Sequence, residues 1–326
     1  EEIVSIVRDA GIVGLGGAGF PTFVKLSPKE IDKIDLFLVN GAECEPYLTS
    51  DYRDMMEMPE KLIGGLQVVL SIFPNAKGKI CIEDNKPEAI KLLTEKVKGM
   101  DNIEVVALRT RYPQGGERQL IYAASGRKIN SSMLPADAGV VVDNVDTVVA
   151  IYEAVCESKP LVRKILTVTG DAVASPGNFR VPLGTNYQQV ISAAGGFSED
   201  PEKVISGGPM MGMPLFVLDI PVTKNSSSIL AFKKDPVAEE PTTPCINCGR
   251  CVTACPENLM PTLMMVASLQ KNTERFEKLY GMECIECGCC SYVCPAKRPL
   301  TQGFKQMKRK VNAEKRAKAA KAQGGK

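Results

Sequence analysis

The chain has 326 residues, of which 44% are hydrophobic and 24% charged, the composition of a folded protein of two or three domains. It contains no histidine, which excludes Ser-His-Asp hydrolysis, Cys-His proteolysis, mixed Cys/His zinc fingers and His-ligated haem. No apolar run reaches the ~18 residues of a membrane helix, and the start lacks a signal-peptide pattern. The net charge of +2 is uneven, because residues 303–326 carry +8 and the rest −6.

In residues 1–160, short apolar runs alternate with longer stretches of helical periodicity, which predicts an α/β sheet flanked by helices. The predicted strands are 36–40, 79–83, 103–108 and 139–143. The predicted helices are 52–72, 86–98, 117–125 and 145–158. The segment 3–10 fits either a strand or a helix.

Residues 161–234 contain shorter strands and turns, which predict a small β-rich domain with a single helix, as in a β-grasp fold. The predicted strands are 165–169, 177–181 and 205–206, and the predicted helix is 186–194. A Pro-rich linker follows at 235–244, then a cysteine-rich module at 245–302.

The basic tail, residues 303–326, is rich in Lys and Ala and carries Phe304, Met307 and Val311 on one possible helical face. It fits either a solvated, partly disordered end or a segment that docks on an acidic partner or on anionic lipid. Nucleic-acid binding is not expected, because no aromatic residues alternate with the charges.

Eight of the twelve cysteines form two copies of the spacing C-x2-C-x2-C-x3-C-P, which is typical of [4Fe–4S] proteins. Three thiolates two residues apart can wrap three corners of a cuboidal cluster, and the fourth points toward the neighbouring cluster. The predicted ligands are Cys245, Cys248, Cys251 and Cys294 for cluster 1, and Cys255, Cys284, Cys287 and Cys290 for cluster 2. The alternatives, all-cysteine zinc sites or a disulfide framework, do not need this spacing twice.

The segment between the two motifs has apolar residues at helical spacing, which predicts two helices and an α-helical ferredoxin-type module. Cys289 lies inside the second motif but off its spacing, and fits either an exchangeable ligand or a buried bystander thiol. The clusters and thiols indicate a reducing compartment.

A glycine-rich loop, Gly14-Leu15-Gly16-Gly17-Ala18-Gly19, indicates a backbone that can approach an anion closely. We interpret it as a phosphate-binding loop, with Lys25 near enough to add a positive charge. Residues 40–46, Asn-Gly-Ala-Glu-Cys-Glu-Pro, directly follow a predicted strand. They fit either a ligand site at the carboxyl end of that strand or a solvated turn.

Together these motifs resemble the NADH-binding flavin subunit of respiratory complex I and, more closely, the RnfC family of the Rnf ion-translocating electron-transport complexes. The resemblance implies an α/β flavin/NADH-binding domain, a small β-grasp (SLBB-like) domain and an α-helical ferredoxin-type two-[4Fe–4S] module. That family carries a further N-terminal domain, and this chain lacks an initiator Met, so we expect a fragment. The resemblance rests on the twin cysteine motifs and on residues 14–25, 40–46, 112–121, 143–147 and 207–215.

The resemblance also implies roles for individual residues, with Glu43 and Glu45 as the catalytic pair. Glu43 is expected to shape the flavin potential and Glu45 to anchor the nicotinamide nucleotide. Ala42 and Gly116 stand where complex I has acids, and Cys44 replaces a small hydroxyl residue. The FMN phosphate is expected at Gly14, Gly17 and Lys25, the flavin at Asn40, Glu43, Tyr112, Gly115, Asn144 and Thr147, and NADH at Phe20, Glu45 and Glu117.

The implied function is electron input to a membrane-bound NADH/ferredoxin oxidoreductase. NAD(H) would exchange hydride with FMN, and single electrons would pass through two [4Fe–4S] clusters to other Rnf subunits, namely the ferredoxin-type RnfB and membrane subunits. The chain would lie peripherally on the cytoplasmic face of the bacterial cell membrane. Two alternatives remain, a passive two-cluster relay without functional flavin and a cobalamin reductase similar to RnfC.

Overall fold

The computed structural model describes residues 1–324 of the chain, with side chains through Lys321. Tertiary contacts divide the chain into two units, Glu1–Lys234 and Asp235–Lys326. None of the described helices is long and apolar enough to cross a membrane.

The first unit begins with a four-stranded parallel sheet in the order β3-β2-β1-β4. Its strands are β1 (Leu36–Gly41), β2 (Lys77–Glu83), β3 (Ile103–Leu108) and β4 (Val140–Asn144). Both faces of the sheet are covered by apolar clusters, so every residue of the central strand β1 is buried except Asn40, which is partly buried. The helices are α1 (Glu2–Asp9), α2 (Thr22–Lys25), α3 (Ser50–Glu57), α4 (Pro59–Leu70), α5 (Pro87–Lys96), α6 (Glu117–Ser125) and α7 (Val145–Glu157).

This strand order creates a switch point at the carboxyl end of the sheet. The chain moves from β1 to β2 and β3 on one side and then returns to β4 on the other side of β1. The crossover connections therefore run to one side of β1 as far as β3, and the next one returns to β4 on the other side of β1. Open α/β sheets bind ligands in the crevice that forms at such a point.

Two predictions for this domain change in the structure. The predicted helix 52–72 is two helices, α3 and α4, which break at Met58 because Pro59 has no N–H to continue the first helix. The ambiguous segment 3–10 is helical, as α1, with Val7 on its buried face. The other predicted strands and helices occur with small shifts at their ends.

The second part of the first unit is a five-stranded mixed sheet in the order β6-β5-β9-β7-β8, in which only β5 and β9 pair in parallel. One helix, α8 (Tyr187–Ala193), packs on it, and Asn186 caps that helix by accepting the Gln188 N–H at 2.8 Å. This is the predicted β-grasp arrangement, to which the structure adds β8 and β9. The strands are β5 (Arg163–Thr169), β6 (Gly177–Pro182), β7 (Lys203–Ser206), β8 (Met213–Leu215) and β9 (Ser228–Phe232).

The second unit is helical, and its core contains Phe276 and Phe304 together with several of the motif cysteines. The two helices predicted between the motifs are present as α11 and α12. The helices of this unit are α9 (Pro236–Glu239), α10 (Arg250–Thr253), α11 (Pro261–Leu269), α12 (Thr273–Lys278), α13 (Cys289–Tyr292) and α14 (Leu300–Gly324).

The basic tail is helical throughout its described residues. Helix α14 runs across the predicted boundary between residues 302 and 303, and Phe304, Met307 and Val311 are all buried in the core of the second unit. The interpretation as a solvated, partly disordered end is therefore wrong for the first half of the tail. Residues 325 and 326 lie outside the described residues.

Candidate cofactor sites

The glycine-rich loop connects α1 and α2 and is closed by hydrogen bonds between its ends. The Gly14 N–H donates to the Phe20 carbonyl at 2.7 Å, and the Gly19 N–H donates to the Gly14 carbonyl at 3.1 Å. Gly17 has a φ of +104°, and a Cβ there would meet no atom within 4 Å. Backbone conformation, not crowding, therefore requires glycine at this position, and the loop faces open space there.

The loop lies against the carboxyl end of β4. At Gly16 a Cβ would be 3.4 Å from the Cβ of Asn144, the last residue of that strand. The Leu15 N–H donates to Thr147 Oγ1 at 2.9 Å, and Asn144 caps α7 by accepting the Asp146 N–H at 3.0 Å. The loop is thus fixed at the switch point, with a backbone that fits a phosphate group.

Lys25 reaches the same edge of the sheet. Its Nζ donates to the Val142 carbonyl at 2.7 Å and lies 3.3 Å from Asp143 Oδ1. Burial raises the pKa of Asp143 to about 6, while Lys25 acts to lower it. The Lys25 ammonium also lies 4.0 Å from the carboxylate of Glu117, at the first residue of α6. A phosphate held by Lys25 would therefore share that ammonium with Asp143.

Asn40 ties the loop after β1 to the segment before α6. Its Nδ2 donates to the Gly115 carbonyl at 2.9 Å, and its Oδ1 accepts the Ala42 N–H at 3.1 Å. A Cβ at Gly115 would overlap the Ala42 carbonyl oxygen, so the close approach of the two loops requires glycine. Asn40 and Gly115 therefore shape the backbone at the sheet edge where the flavin is expected.

A cavity of about 650 Å³ opens at the carboxyl ends of β1, β2 and β3. This volume is in the range of small-molecule sites. Its lining includes three of the predicted flavin and NADH residues, Glu43, Glu45 and Tyr112. The rest of the lining comes from residues 44, 46–49, 52, 83, 85–88, 110 and 111. The other predicted residues are not in its lining: Gly14, Gly17, Phe20, Lys25, Asn40, Gly115, Glu117, Asn144 and Thr147.

Glu43 caps α3 at the wall of this cavity. Its carboxylate accepts the N–H groups of Asp51 at 2.9 Å and Tyr52 at 3.2 Å, in the first turn of the helix. Burial raises the pKa of Glu43, while the Asp51 N–H, Lys86 and the Tyr52 N–H act to lower it. The structure thus gives this carboxylate a helix-capping role that the sequence motifs did not predict.

Glu45 binds the β-grasp domain. Its carboxylate accepts the N–H groups of Met210 at 3.1 Å and Met211 at 2.8 Å, in the segment between β7 and β8. A Cβ at Gly208 would overlap this carboxylate, so the approach requires glycine. The conspicuous sequence 207–215, Gly-Gly-Pro-Met-Met-Gly-Met-Pro-Leu, therefore contacts a residue of the cavity wall.

A buried group of carboxylates lies beside the glycine-rich loop and was not predicted. Asp51 Oδ2 accepts from Asn144 Nδ2 at 2.6 Å, and Asp146 pairs with Lys164 Nζ at 2.6 Å. Burial and the neighbouring carboxylates raise the pKa of Asp51 to about 7 and that of Asp54 to about 9. Neither oxygen of Asp54 has a hydrogen-bond partner among the described residues. The sequence signal is weak, since it consists of two acids three residues apart on α3.

In the second unit, the motif cysteines line two separate cavities. One is lined by Cys245, Cys248, Cys251 and Cys294. The other is lined by Cys255, Cys284, Cys287 and Cys290, and also by Cys289. Each cavity thus receives three cysteines from one motif and the fourth from the other motif.

The two motifs have matching backbone conformations. Asn247 and Glu286 have φ of 56° and 61°, and Gly249 and Gly288 have φ of 76° and 84° before the short helices α10 and α13. None of the cysteines is in a disulfide, and among the described residues no three metal-binding side chains lie close enough together for a single ion. Four sulfurs spread around one cavity suit a cluster of several irons.

The two cavities differ in exposure. Cys245 and Cys248 are exposed, whereas Cys287 and Cys290 are buried. Both cavities reach the apolar core of this unit, the first at Met265 and Leu300 and the second at Met264 and Phe304.

Comparisons with known proteins agree with this arrangement. Three family models match in order: the Nuo51 FMN-binding domain over residues 7–153, the SLBB domain over 165–214 and the 4Fe-4S dicluster domain over 237–317. The C component of the Na(+)-translocating ferredoxin:NAD(+) oxidoreductase complex from Acetobacterium woodii is 46% identical over 97% of this chain and 71% of its own length. The chain belongs to this family, RnfC. The family and the fold class predicted from the sequence are confirmed, as are FMN and iron–sulfur clusters as the cofactors of these domains.

Other members of the RnfC family are longer than this chain. The corresponding component of a proton-translocating ferredoxin:NAD(+) oxidoreductase complex from Clostridium ljungdahlii is 44% identical over 86% of this chain and 62% of its own length. That of an ion-translocating oxidoreductase complex from Rhodobacter capsulatus is 39% identical over 96% of this chain and 60% of its own length. The chain thus spans between 60% and 71% of the length of these three relatives.

Two crystal structures of an NAD+-reducing [NiFe]-hydrogenase share the fold. In the air-oxidized state the TM-score is 0.66 at 24% identity, covering 86% of this chain and 54% of the other. In the H2-reduced state it is 0.63 at 21% identity, covering 95% and 62%. At these identities the likeness concerns the fold alone.

Proposed function

We propose that this chain is the electron-input part of an ion-translocating ferredoxin:NAD(+) oxidoreductase, with NAD(H) as substrate. The observation that carries the proposal is the pair of cysteine-lined cavities, each completed by a cysteine of the other motif. A bound flavin supplies exchange between two-electron and one-electron chemistry. The residues of this chain bind and orient the cofactors and keep the carboxylates around them in fixed positions.

For the flavin, we propose that the glycine-rich loop and Lys25 hold the phosphate. The open backbone at Gly17 and the place of the loop at the switch point support this assignment. Asn40, Gly115, Asn144 and Thr147 then act by shaping the backbone around that phosphate and the flavin. Glu43 and Tyr112 act from the cavity wall.

For the nicotinamide nucleotide, we propose the cavity of about 650 Å³ as the binding site. Glu45 would act there both on the nucleotide and on the segment of the β-grasp domain that it binds. Phe20, which exposes 48% of its surface, and Glu117 are proposed to approach the nucleotide from the other side of the loop.

For the clusters, we propose that the cysteines of each cavity are the ligands of one [4Fe–4S] cluster. The matching backbone conformations of the two motifs and the distribution of sulfurs around each cavity support this. Cluster 1 would lie nearer to solvent than cluster 2, because Cys245 and Cys248 are exposed. We assign Cys289 as a bystander of cluster 2, since it lies beyond the four ligands of the crossed set.

For partners, we propose the other subunits of an Rnf complex, including the ferredoxin-type RnfB and membrane subunits, and no nucleic acid. The names of the relatives, which belong to ion-translocating complexes, support this. We propose peripheral attachment on the cytoplasmic face of the membrane through those subunits.

Cofactor analysis of anaerobically purified chain tests the proposal. We expect iron and sulfide for two clusters and one FMN per chain, with flavin absorbance that bleaches when NADH is added. Zinc in place of iron would refute the cluster assignment. Iron without flavin, and no response to NADH, would indicate the passive relay, and NADH-dependent reduction of cob(II)alamin would indicate the cobalamin reductase.

The relay alternative draws on the two departures from complex I. In the structure Ala42 is buried in the apolar cluster behind the sheet and is not in the cavity lining. Gly116 precedes α6 and is likewise not in that lining. Neither position lines the proposed nucleotide cavity, so neither change alters its wall. Both lie in the two loops that Asn40 joins at the expected flavin edge, so the flavin content of the purified chain decides between the two functions.

A further inference from the structure

Lys164, the second residue of β5, extends from the β-grasp domain into the α/β domain. Its side chain is 4% exposed, and Nζ donates to the Leu15 carbonyl at 3.0 Å and to the Asp146 carboxylate at 2.6 Å. The N–H of the same Leu15 donates to Thr147 Oγ1. Both backbone polar groups of one residue in the glycine-rich loop are therefore fixed, one by the α/β domain and the other by the β-grasp domain.

The turn before β9 makes a second contact of this kind. Lys224 Nζ donates to the carbonyl of Gly11, just before the glycine-rich loop. The turn is held internally, because the Thr223 N–H donates to Ser226 Oγ at 3.1 Å and the Ser226 N–H donates to the Thr223 carbonyl at 3.0 Å. The hydroxyl of Tyr187 in the β-grasp core donates to the same Ser226 Oγ at 2.8 Å. Lys224 therefore lies in a turn that is held to the β-grasp core by hydrogen bonds of Ser226.

A third contact occurs at the other end of the loop. Gly19 has a φ of +66°, and a Cβ there would overlap the side-chain amide of Asn225. That amide therefore packs directly on the backbone of Gly19. The three contacts reach Gly11, three residues before the loop, Leu15, its second residue, and Gly19, its last residue.

A loop with glycine at four of six positions has little conformational preference of its own. Its shape must come from the residues that surround it, and holding it in one shape before binding lowers the ordering cost of binding. In this chain those residues come from Thr147 on one side and from three β-grasp residues on the other.

We propose that the β-grasp domain sets the conformation of the glycine-rich loop, and through it the affinity for the flavin phosphate, by means of Lys164, Lys224 and Asn225. This inference rests on the proposed function, in which the loop holds the FMN phosphate. The three residues are positioning residues, because the contacts described for them are with the backbone in and before the loop and with Asp146.

The test compares FMN with riboflavin, which lacks the phosphate. The full chain, freed of flavin, is titrated with each, and the ratio of the two Kd values reports the contribution of the phosphate. The variants are K164M, K224M and N225A, and K164M/D146N removes the unpaired carboxylate that K164M alone would leave. K164R retains the positive charge, and K233M alters a lysine that pairs with Glu199 away from the loop.

We expect K164M and K164M/D146N to lower the preference for FMN about tenfold, the effect of one charge-assisted hydrogen bond, with little change in riboflavin affinity. K224M and N225A should show smaller losses, K164R should restore the preference, and K233M should leave both affinities unchanged. In hydrogen exchange, amides of residues 14–19 should exchange faster in K164M. A general loss of structure would instead weaken both ligands equally and lower Tm in the same variants.

The control for the underlying assignment is G17V, which places a side chain at positive φ. If the unaltered chain binds FMN and riboflavin equally well, or if G17V keeps the preference, the phosphate assignment of the proposed function is wrong. The remaining outcome is that G17V loses the preference for FMN over riboflavin while all the β-grasp variants keep it and the amides of residues 14–19 exchange at an unchanged rate. In that case the phosphate assignment stands and this inference is overturned.

Discussion

The cysteine-lined cavities of the second unit draw all their cysteines from two stretches of eleven residues, 245–255 and 284–294. The candidate nucleotide site of the first unit is assembled differently, from loops after three strands and from contacts with the β-grasp domain. In the cysteine module the chemical groups and their spacing lie close together in the chain. In the nucleotide site, contacts such as those of Glu45 with Met210 and Met211 join residues more than a hundred positions apart.

This difference affects how a substitution should act. A cysteine in a motif is a direct ligand in the proposed clusters, so its loss removes cofactor. Many residues of the nucleotide site bind the backbone of another loop, so their loss changes shape, stability or affinity by degrees.

The largest expected effect is that of Cys255→Ser, which tests the crossed arrangement. Cys255 belongs to the first motif but lines the cavity of the second. We expect the variant to lose about half of the iron and the electron paramagnetic resonance signal of cluster 2, while cluster 1 remains. Cys289→Ser, which changes a cysteine in the same lining, is the matched control and should retain both clusters. Loss of cluster 1 in Cys255→Ser would contradict the crossed assignment.

The next effect concerns the buried carboxylates. The pKa of Asp54 is raised from 3.8 to about 9, mainly by burial and then by Asp146 and Asp51, so the folded state binds this proton more tightly than the unfolded state. Its contribution to stability is therefore complete below about pH 4 and is lost as the pH rises toward 9.

Asp54→Asn should reduce the decline of the free energy of unfolding with rising pH, by up to about 1.4 kcal/mol per pH unit. Urea unfolding at several pH values between 5 and 9 measures the slope. The control is Asn in place of the exposed Asp101. An unchanged slope in Asp54→Asn would show that Asp54 does not titrate abnormally.

A smaller effect is expected for Thr147→Val, which keeps the shape of a fully buried side chain but removes the acceptor of the Leu15 N–H. A buried donor left without a partner costs about 1–3 kcal/mol. We expect a loss of stability in that range and weaker FMN binding, measured by chemical denaturation and by flavin titration. Thr147→Ser retains the hydroxyl and should lose much less. Equal losses in the two variants would point to packing rather than to the hydrogen bond.

The smallest effect is expected for Glu45→Gln. Each of the two carboxylate oxygens accepts one N–H group, from Met210 or from Met211, whereas Gln has a single side-chain oxygen and can replace only one of these acceptors. The negative charge that strengthens both bonds is also lost. We expect NADH to reduce the flavin several-fold more slowly at low concentration, with FMN still bound, in stopped-flow absorbance measurements. NADH kinetics identical to those of the unaltered chain would remove Glu45 from the nucleotide site.

Much of the fold was predictable because the strands of the first sheet are short apolar runs and its helices have clear periodicity. The division of the helix after residue 52 depends on a single proline, which the periodicity alone did not reveal. The second half of the β-grasp sheet was harder, because β8 has only three residues and β9 follows a run of serines.

The candidate site was predictable only where a motif has one chemical interpretation. The cysteine spacing specifies two sets of four cysteines, and the structure brings each set to one cavity, the second together with Cys289. For Glu43 and Glu45 the motif indicated that a carboxylate matters but not which backbone N–H groups it binds. Lys164 and Asp54 belong to no motif, and their importance comes from burial, which depends on packing between distant segments.

Helix α14 has a consequence for where the chain can be shortened. Lys308 of this helix donates to the Cys284 carbonyl at 2.6 Å and lies 3.0 Å from the Glu286 carboxylate, so the helix braces the loop of the second motif. A protein cut after the last motif residues would lose that brace together with three apolar side chains of the core. Trimming for expression or crystallisation should therefore spare the chain through Lys315, because Thr273 Oγ1 donates to the Glu314 carboxylate at 2.9 Å and Lys315 Nζ lies 2.7 Å from the Glu277 carboxylate.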